Sequence, residues 1–273
     1  MLKPHKIPYL DTSKLSDELR PQMDDYLSRT DTWTALTVGA DAKTSKGEKL
    51  GVRTAIVYFV SYTLSGQNVC PMAELAACHE PCLGTAGRGA MHSVQHSRMA
   101  RTLIFQQRPD ILYSMFHRQL VKHCKDCIRD GVIPAVRPNG TSDTRWENDP
   151  FFMAMLESLV REFGLRVYDY TKIPNRKNVP DWYDLTFSYS GVRGFQPFVQ
   201  RAIDAGERIA VVFRNRAMVE RLLEIGGSFL GLPVVDGDDT DVRFLDPKGV
   251  VVALYAKGKA RHDKSGFVVD LLV

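Results

Sequence analysis

Ala55-Ile56-Val57-Tyr58-Phe59-Val60-Ser61-Tyr62 is a near-continuous run of β-branched and aromatic residues. Such a run reads as a strand covered on both faces, and in a sheet that cover is supplied by helices. The chain downstream has them. A long amphipathic helix is expected over about 110–130, where Ile111, Leu112, Met115, Phe116, Leu120, Val121, Cys124 and Ile128 recur at helical spacing and Gly131 marks the stop. Strands follow at 132–137, 166–170, 185–189, 209–213 and 250–254, with helices near 149–163, 195–204 and 216–225. Apolar strands alternating with amphipathic helices predict βαβ units, hence an α/β fold with a mostly parallel sheet. Right-handed crossovers leave a doubly wound sheet or a partial or complete (β/α) barrel. The number of repeats and the lack of an early dinucleotide fingerprint favour the barrel, spanning 51–273. Residues 1–50 read as a polar N-terminal extension packed on that core, with a helix near 13–28, a short strand near 34–38 and an exposed loop at 44–49.

The 273 residues are 44% hydrophobic and 25% charged, a globular composition that excludes a mostly disordered chain. A formal net charge of +4 permits nucleic acid or anionic small molecules as partners without demanding either. No apolar run reaches the ~18–20 residues of a membrane span, and the stretch from Met1 to Pro8 has no apolar core of a secretory signal. The expected location is therefore a reducing cytoplasm, where clustered cysteines serve metals or catalysis more than disulfides.

Three of the five cysteines follow the opening strand as Cys70-x7-Cys78-x3-Cys82, in a loop punctuated by Pro71, Pro81 and Gly84. Thiolates are soft ligands suited to zinc or iron–sulfur clusters. Three of them leave one iron of a four-iron (4Fe-4S) cluster open to an outside ligand. Zinc held by the three cysteines with His79, His92 or His96 is the alternative metal reading. A redox or nucleophilic thiol, or reduced cysteines that merely lie close together, are the remaining ones. The loop lacks the apolar periodicity that burial would require. Cys124 and Cys127 fall on or beside the apolar face of the long helix, so they are expected in the core and not as ligands.

Both architectures bind ligands at the C-terminal ends of their strands. Polar residues gather there: Arg137, Asn139, Ser142 and Asp143 after one strand, Asp169 and Lys172 after the next, Thr186 and Ser188 at a third, Arg214 at a fourth. Each taken alone reads more readily as a cap or turn residue, Ser142 and Asp143 above all. Their recurrence makes Asp143, Asp169 and Lys172 the candidate catalytic groups, and Arg137, Asn139, Ser142 and Ser188 the candidate cofactor-binding groups. Carboxylates there would suit the ammonium of S-adenosylmethionine, and Lys172 or Arg137 its carboxylate. Gly84-Thr85-Ala86-Gly87-Arg88-Gly89 reads as a turn out of the cysteine loop more than as a phosphate cradle. Asp236, Asp238, Asp239 and Asp241 read as a solvated acidic turn without the closing Glu of a calcium loop. Lys257, Lys259, Arg261, His262 and Lys264 form a basic stretch, solvated by default and able to contact nucleic acid.

The cysteine segment with Cys82-Leu83-Gly84-Thr85-Ala86-Gly87-Arg88-Gly89 resembles the bacteriophage family called gene product 88. So do Val136-Arg137-Pro138-Asn139-Gly140-Thr141-Ser142-Asp143, Tyr168-Asp169-Tyr170-Thr171-Lys172, Leu185-Thr186-Phe187-Ser188, Asp236-Gly237-Asp238-Asp239-Thr240-Asp241, Arg243-Phe244-Leu245-Asp246-Pro247 and Ala256-Lys257-Gly258-Lys259-Ala260. The likeness covers about 55–270 and implies a protein of the infected host cell's cytoplasm, without implying a reaction. The layout is also similar to that of radical S-adenosylmethionine enzymes, which carry a three-cysteine loop after the first strand of a partial (β/α) barrel. The spacing departs from the Cys-x3-Cys-x2-Cys of that superfamily. Asn139-Gly140-Thr141-Ser142-Asp143 stands where its glycine-glycine-acidic-proline segment would lie. The expectation is an iron–sulfur protein with Cys70, Cys78 and Cys82 as cluster ligands, S-adenosylmethionine as a candidate cofactor, a small-molecule or nucleotide substrate and no membrane partner. The rival is a zinc-stabilised, non-catalytic phage protein that binds host machinery or nucleic acid.

Overall fold

A computed structural model describes residues 2–39, 42–82, 84 and 86–270. Leu83 and Thr85, from the motif after the cysteine loop, lie outside the described residues. In chain order the elements are β1 (His5–Lys6), α1 (Leu19–Arg29), β2 (Thr32–Trp33), β3 (Thr37–Val38), α2 (Ala42–Lys49), β4 (Val52–Ile56), α3 (His92–Gln107), α4 (Pro109–Arg129), β5 (Ile133–Arg137), α5 (Pro150–Phe163), β6 (Arg166–Thr171), β7 (Tyr183–Ser188), α6 (Gln196–Asp204), β8 (Ile209–Phe213), α7 (Arg216–Glu224), β9 (Ser228–Phe229), β10 (Leu232–Asp236) and β11 (Val251–Tyr255).

Among the described residues these form a mixed α/β molecule: seven helices, a small β1-β2 pair and a nine-stranded sheet ordered β3-β4-β5-β6-β7-β8-β11-β10-β9. Every pair from β4 to β10 in that order is parallel, and β3 and β9 are antiparallel edges. The mostly parallel sheet is the one the alternating pattern predicts. From β4 to β8 each strand lies beside its predecessor, so right-handed crossovers put those connections on one face. Two clusters fill that face. Ala55, Val136 and Val167 pack with residues of α3, α4 and α5, and Phe187, Val211 and Val251 pack with residues of α6 and α7. The last step reverses, because β10 lies outside β11. The intervening connection crosses the other face, where Val242 packs against Val52, Ala135 and Tyr168.

Two expectations need correction. The strand expected over 55–62 pairs from Val52 only to Ile56. Val57 N still donates to Arg137 O at 3.0 Å, but Val60 N turns to Thr102 Oγ1 at 2.9 Å. Val57, Phe59 and Val60 are buried in the helix-side core instead. An apolar run signals burial, and here burial outlasts the ladder because β5 ends at Arg137. The loop expected at 44–49 lies within α2. That helix lies against β4, and a Cβ on Gly47 would stand 3.0 Å from Val242 Cγ2, so tertiary packing overrides a poor helix-forming sequence. Leu10, Leu15, Met23, Trp33 and Leu36 of the extension join the same core as Phe59.

Cys124 and Cys127 are fully buried, in line with a core role. Among the described residues no helix is long and apolar enough to cross a membrane.

Candidate functional site

The cysteine loop is anchored by its small apolar residues. Val69, Ala73 and Ala76 are buried, which corrects the expectation that this loop has no apolar spacing. Ala76 sits in the core beneath α6, and its carbonyl accepts from Ser190 Oγ at 2.8 Å. Asn68 Oδ1 accepts from Cys70 N at 2.8 Å and starts a helical turn in which Ala73 N bonds Cys70 O and Ala76 N bonds Met72 O. Ala77, at φ 49°, breaks the turn, and Cys78 N returns to Ala73 O at 3.0 Å. Cys70 and Cys78 are thereby brought to one wall. Cys82 follows, its sulfur accepting from Gly84 N at 3.4 Å.

The second wall is the turn after β5. Asn139 Oδ1 accepts from Ser142 Oγ at 2.8 Å and Thr144 N at 2.9 Å, which closes the turn on itself. Gly140 N donates to Val57 O at 2.8 Å. A Cβ on Gly140 would lie 2.6 Å from Ile56, Tyr58 and Val57 O, so only glycine lets the turn approach β4 this closely. Asp143 N donates to Val69 O at 2.8 Å and the Cys70 thiol to Thr141 O at 3.7 Å, which ties the turn to the cysteine loop.

Between the walls is a cavity of about 140 Å³ lined by Cys70, Cys78, Ser142, Asp143, Lys172 and Ser188, with Met72, Ala73, Tyr170 and Thr171. Lys172 Nζ donates to Ser188 Oγ (2.9 Å), Ser188 O (3.0 Å) and Tyr189 O (2.9 Å), which uses all three ammonium protons. The Lys172 backbone N–H donates to Asp143 Oδ2 at 2.8 Å. Burial lowers the Lys172 pKa, against the pull of Cys78 and Asp143, and burial raises the Asp143 pKa against its bonds to Lys172 and Arg176. Burial pushes the Cys70 thiol up to about 12, with charge on Cys82, Asp143 and Cys78 adding to the rise. The Cys78 thiol is also raised by burial and is relieved by Lys172.

The family model described as Gene product 88 matches residues 30–271. The chain belongs to that family. It is the family that the ordered sequence motifs resemble, and the match spans both walls of the cavity. No curated protein and no solved structure matches the chain.

In this Gene product 88 chain the structure divides the sequence-derived candidates. Cys70, Cys78, Ser142, Asp143, Lys172 and Ser188 meet at the cavity. Asn139 and Asp169 stand behind its wall. Asp169 accepts from Asn139 N at 2.9 Å and Tyr183 Oη at 2.7 Å, and burial pushes its carboxyl up to about 7. Arg137 is on the sheet face away from the helices, where it pairs with Asp241, and Tyr170 Oη donates to the same carboxylate at 3.0 Å. Asp241 thus belongs to a buried ion pair and not to a solvated acidic turn. Thr186 bonds Arg208 Nη1 at 2.9 Å, and Arg214 bonds Asp270. Lys172 and Arg137 both bond protein partners, Lys172 at Ser188 and Tyr189 and Arg137 at Asp241.

The metal readings meet these donors as follows. Among the described residues no three His, Cys, Asp or Glu are grouped closely enough to hold one metal ion. His79 lies against Tyr62, while His96 Nε2 is 3.4 Å from Gln22 Oε1 and its ring is next to His92. A cluster makes a different demand, because its thiolates bind separate irons and stand farther apart than ligands of one ion. Of the three half-buried thiols, Cys70 and Cys78 line the cavity, while Cys82 lies outside its lining, beside Gly84.

Sequence reasoning missed Arg176 and Arg98. Arg176 pairs with Glu147 and lies 3.5 Å from Asp143, and Arg98 Nη1 donates to Gly84 O at 2.9 Å beside Cys82. Both approach the site from segments with no motif of their own.

Proposed function

We propose that Cys70, Cys78 and Cys82 would hold a four-iron cluster beside the cavity, in an enzyme organised like the radical S-adenosylmethionine proteins. The observation that carries this reading is the meeting of the cysteine loop with Ser142, Asp143, Lys172 and Ser188 at the ends of consecutive parallel strands. The constant step from β4 to β8 supports a partial barrel, since a doubly wound sheet reverses direction near its middle. When bound, the cluster would supply one-electron chemistry and an open coordination position.

The chain's own residues have separate tasks. The turns of the loop and the Asn139 turn hold two thiols at one wall before metal arrives. Lys172, its ammonium held by Ser188 and Tyr189, would offset thiolate charge on Cys78 across the cavity. Ser142 and Ser188 present hydroxyls, and Asp143 a carboxyl, to a bound small molecule or nucleotide. S-adenosylmethionine is the outside ligand that the layout resemblance implies.

Iron and sulfide are to be measured in anaerobically purified protein. About four irons with matching sulfide, lost in Cys70→Ala, Cys78→Ala and Cys82→Ala, are the expected result. Stoichiometric zinc without iron would support the non-catalytic rival and end this reading. Calorimetry with S-adenosylmethionine on cluster-loaded protein tests the cofactor separately.

A further inference from the structure

Three segments far apart in sequence come together beside the cysteine loop that walls the cavity. On one side runs the turn 86–90, where a Cβ on Gly258 would stand 2.9 Å from Ala86 Cβ. On another, Ser265 Oγ donates to Ala77 O at 3.3 Å, and the Phe267 ring lies 4.7 Å from Lys172 Nζ. On the third, Gly194 faces Leu75, with a Cβ there 3.7 Å from Leu75 Cδ1. These contacts set Arg88, Arg193, Lys259, Arg261 and Lys264, all exposed, around the cysteine loop.

None of these five cations has an ion-pair partner among the described residues, unlike their neighbours Lys257, paired with Asp238, and Arg214, paired with Asp270. The nearby carboxylates, Glu74, Glu80 and Asp263, are fewer than these five cations. Asp263 is buried and accepts from Ser265 N, Ser265 Oγ and Val268 N, and Glu74 accepts from Tyr62 Oη. Glu74 and Glu80 are the exposed acidic residues of the loop. An excess of unpaired positive charge around a concave opening concentrates anions at that opening.

We propose that this rim binds the phosphodiester backbone of a nucleic acid and leads a nucleotide into the cavity. The cations sit on separate turns beside the cysteine loop, not on one flat face or one helix. A bilayer instead suits a flat basic face or an amphipathic helix. Inside, Ser188 Oγ accepts from Lys172 and keeps its own proton to donate, and Ser142 Oγ, which donates to Asn139, keeps lone pairs to accept, as sugar and base edges require. The inference names a substrate class for the cavity read above as an enzyme site, but binding at the rim needs no cluster.

The test is fluorescence anisotropy of the full chain with labelled single-stranded DNA, RNA of the same sequence, and duplex DNA. Arg88→Gln, Lys259→Gln and Arg261→Gln combined should weaken binding about tenfold or more and reduce the salt slope on a single strand by about 2. Arg118→Gln, Lys125→Gln and Arg221→Gln remove as much charge from α4 and α7 and should leave binding within about threefold. The DNA and RNA arms identify the strand that is bound. Equal losses in the two triple variants, no binding to any oligonucleotide, or binding only to anionic lipid vesicles would overturn the proposal. The triple cysteine variant is run alongside. Retained binding there shows the rim acting without metal, so the cluster reading and this one fail separately.

Discussion

Lys172 and Ser188, at the ends of adjacent parallel strands, are joined twice: the ammonium donates to the Ser188 hydroxyl at 2.9 Å and to its carbonyl at 3.0 Å. With Tyr189 O at 2.9 Å, the third proton is also used. Lys172→Met keeps much of the side-chain volume but leaves three acceptors without their donor. It should destabilise the fold by about 1–3 kcal/mol, and Ser188→Ala, which removes one acceptor of the three, by about 1 kcal/mol or less. Urea unfolding of the two variants checks the order. A Lys172→Met protein as stable as the parent would mean that the ammonium holds nothing together.

Gly140→Ala tests the approach of the β5 turn to β4. Its Cβ would fall 2.6 Å from two side chains and a backbone oxygen, and the backbone oxygen cannot rotate away. A loss of about 1–3 kcal/mol is expected. Substituting Gly131 is the control, because at φ 71° it has nothing within 4 Å of the added Cβ and suffers only from its backbone conformation. Equal midpoints for the two variants would argue against the close approach.

Asp169 should make stability depend on pH in a direction unusual for a carboxylate. Its folded-state pKa is raised to about 7 from 3.8, so the native state binds the proton more tightly than the unfolded chain. The stability linked to this group is fully present below 3.8 and is lost as pH rises through about 7. Asp169→Asn can still accept from Asn139 N and Tyr183 Oη without titrating. Chemical denaturation at several pH values should therefore show a flatter profile in the variant between those limits.

Replacing Cys124 and Cys127 with Ala should leave metal content unchanged. Both side chains are fully buried, and Cys127 Sγ faces His123 Nε2 at 3.6 Å. The double variant should lose about 1–3 kcal/mol through the space left in the core. Loss of metal from a protein that remains folded would show that these two cysteines serve the centre after all.

The fold was readable from the chain where local signals agree. In α5, Asp149 Oδ1 accepts from Phe152 N at 2.9 Å, Pro150 opens the helix, and Gly164 closes it at φ 65°. Start, apolar face and stop all belong to one continuous stretch of chain, Asp149 to Gly164. The opening strand was readable as buried but not in its limits, because the ladder depends on where β5 ends and the apolar run does not. In α2, Gly47 and its polar neighbours carry no helical signal, and β4 with Val242 supplies the support.

For the site, the sequence by itself determined the order of strands and helices, the placing of the cysteine loop after the first parallel strand, and the gathering of polar residues at the strand ends. All of these are properties of residues near one another in the chain. Only the tertiary structure decided which polar groups face the cavity. Period-two alternation puts Asp169 and Tyr170 on opposite faces of β6, but it does not say what covers either face. Asp169 meets Asn139 and Tyr183 behind the wall, whereas Tyr170 meets Asp241, which also pairs with Arg137 from 104 residues away. Lys172 is turned toward the cavity by acceptors on the next strand, and it is framed by Phe267 from the far end of the described chain. A buried charge goes to its nearest partner in space, and that partner is set by how the crossovers stack the strands.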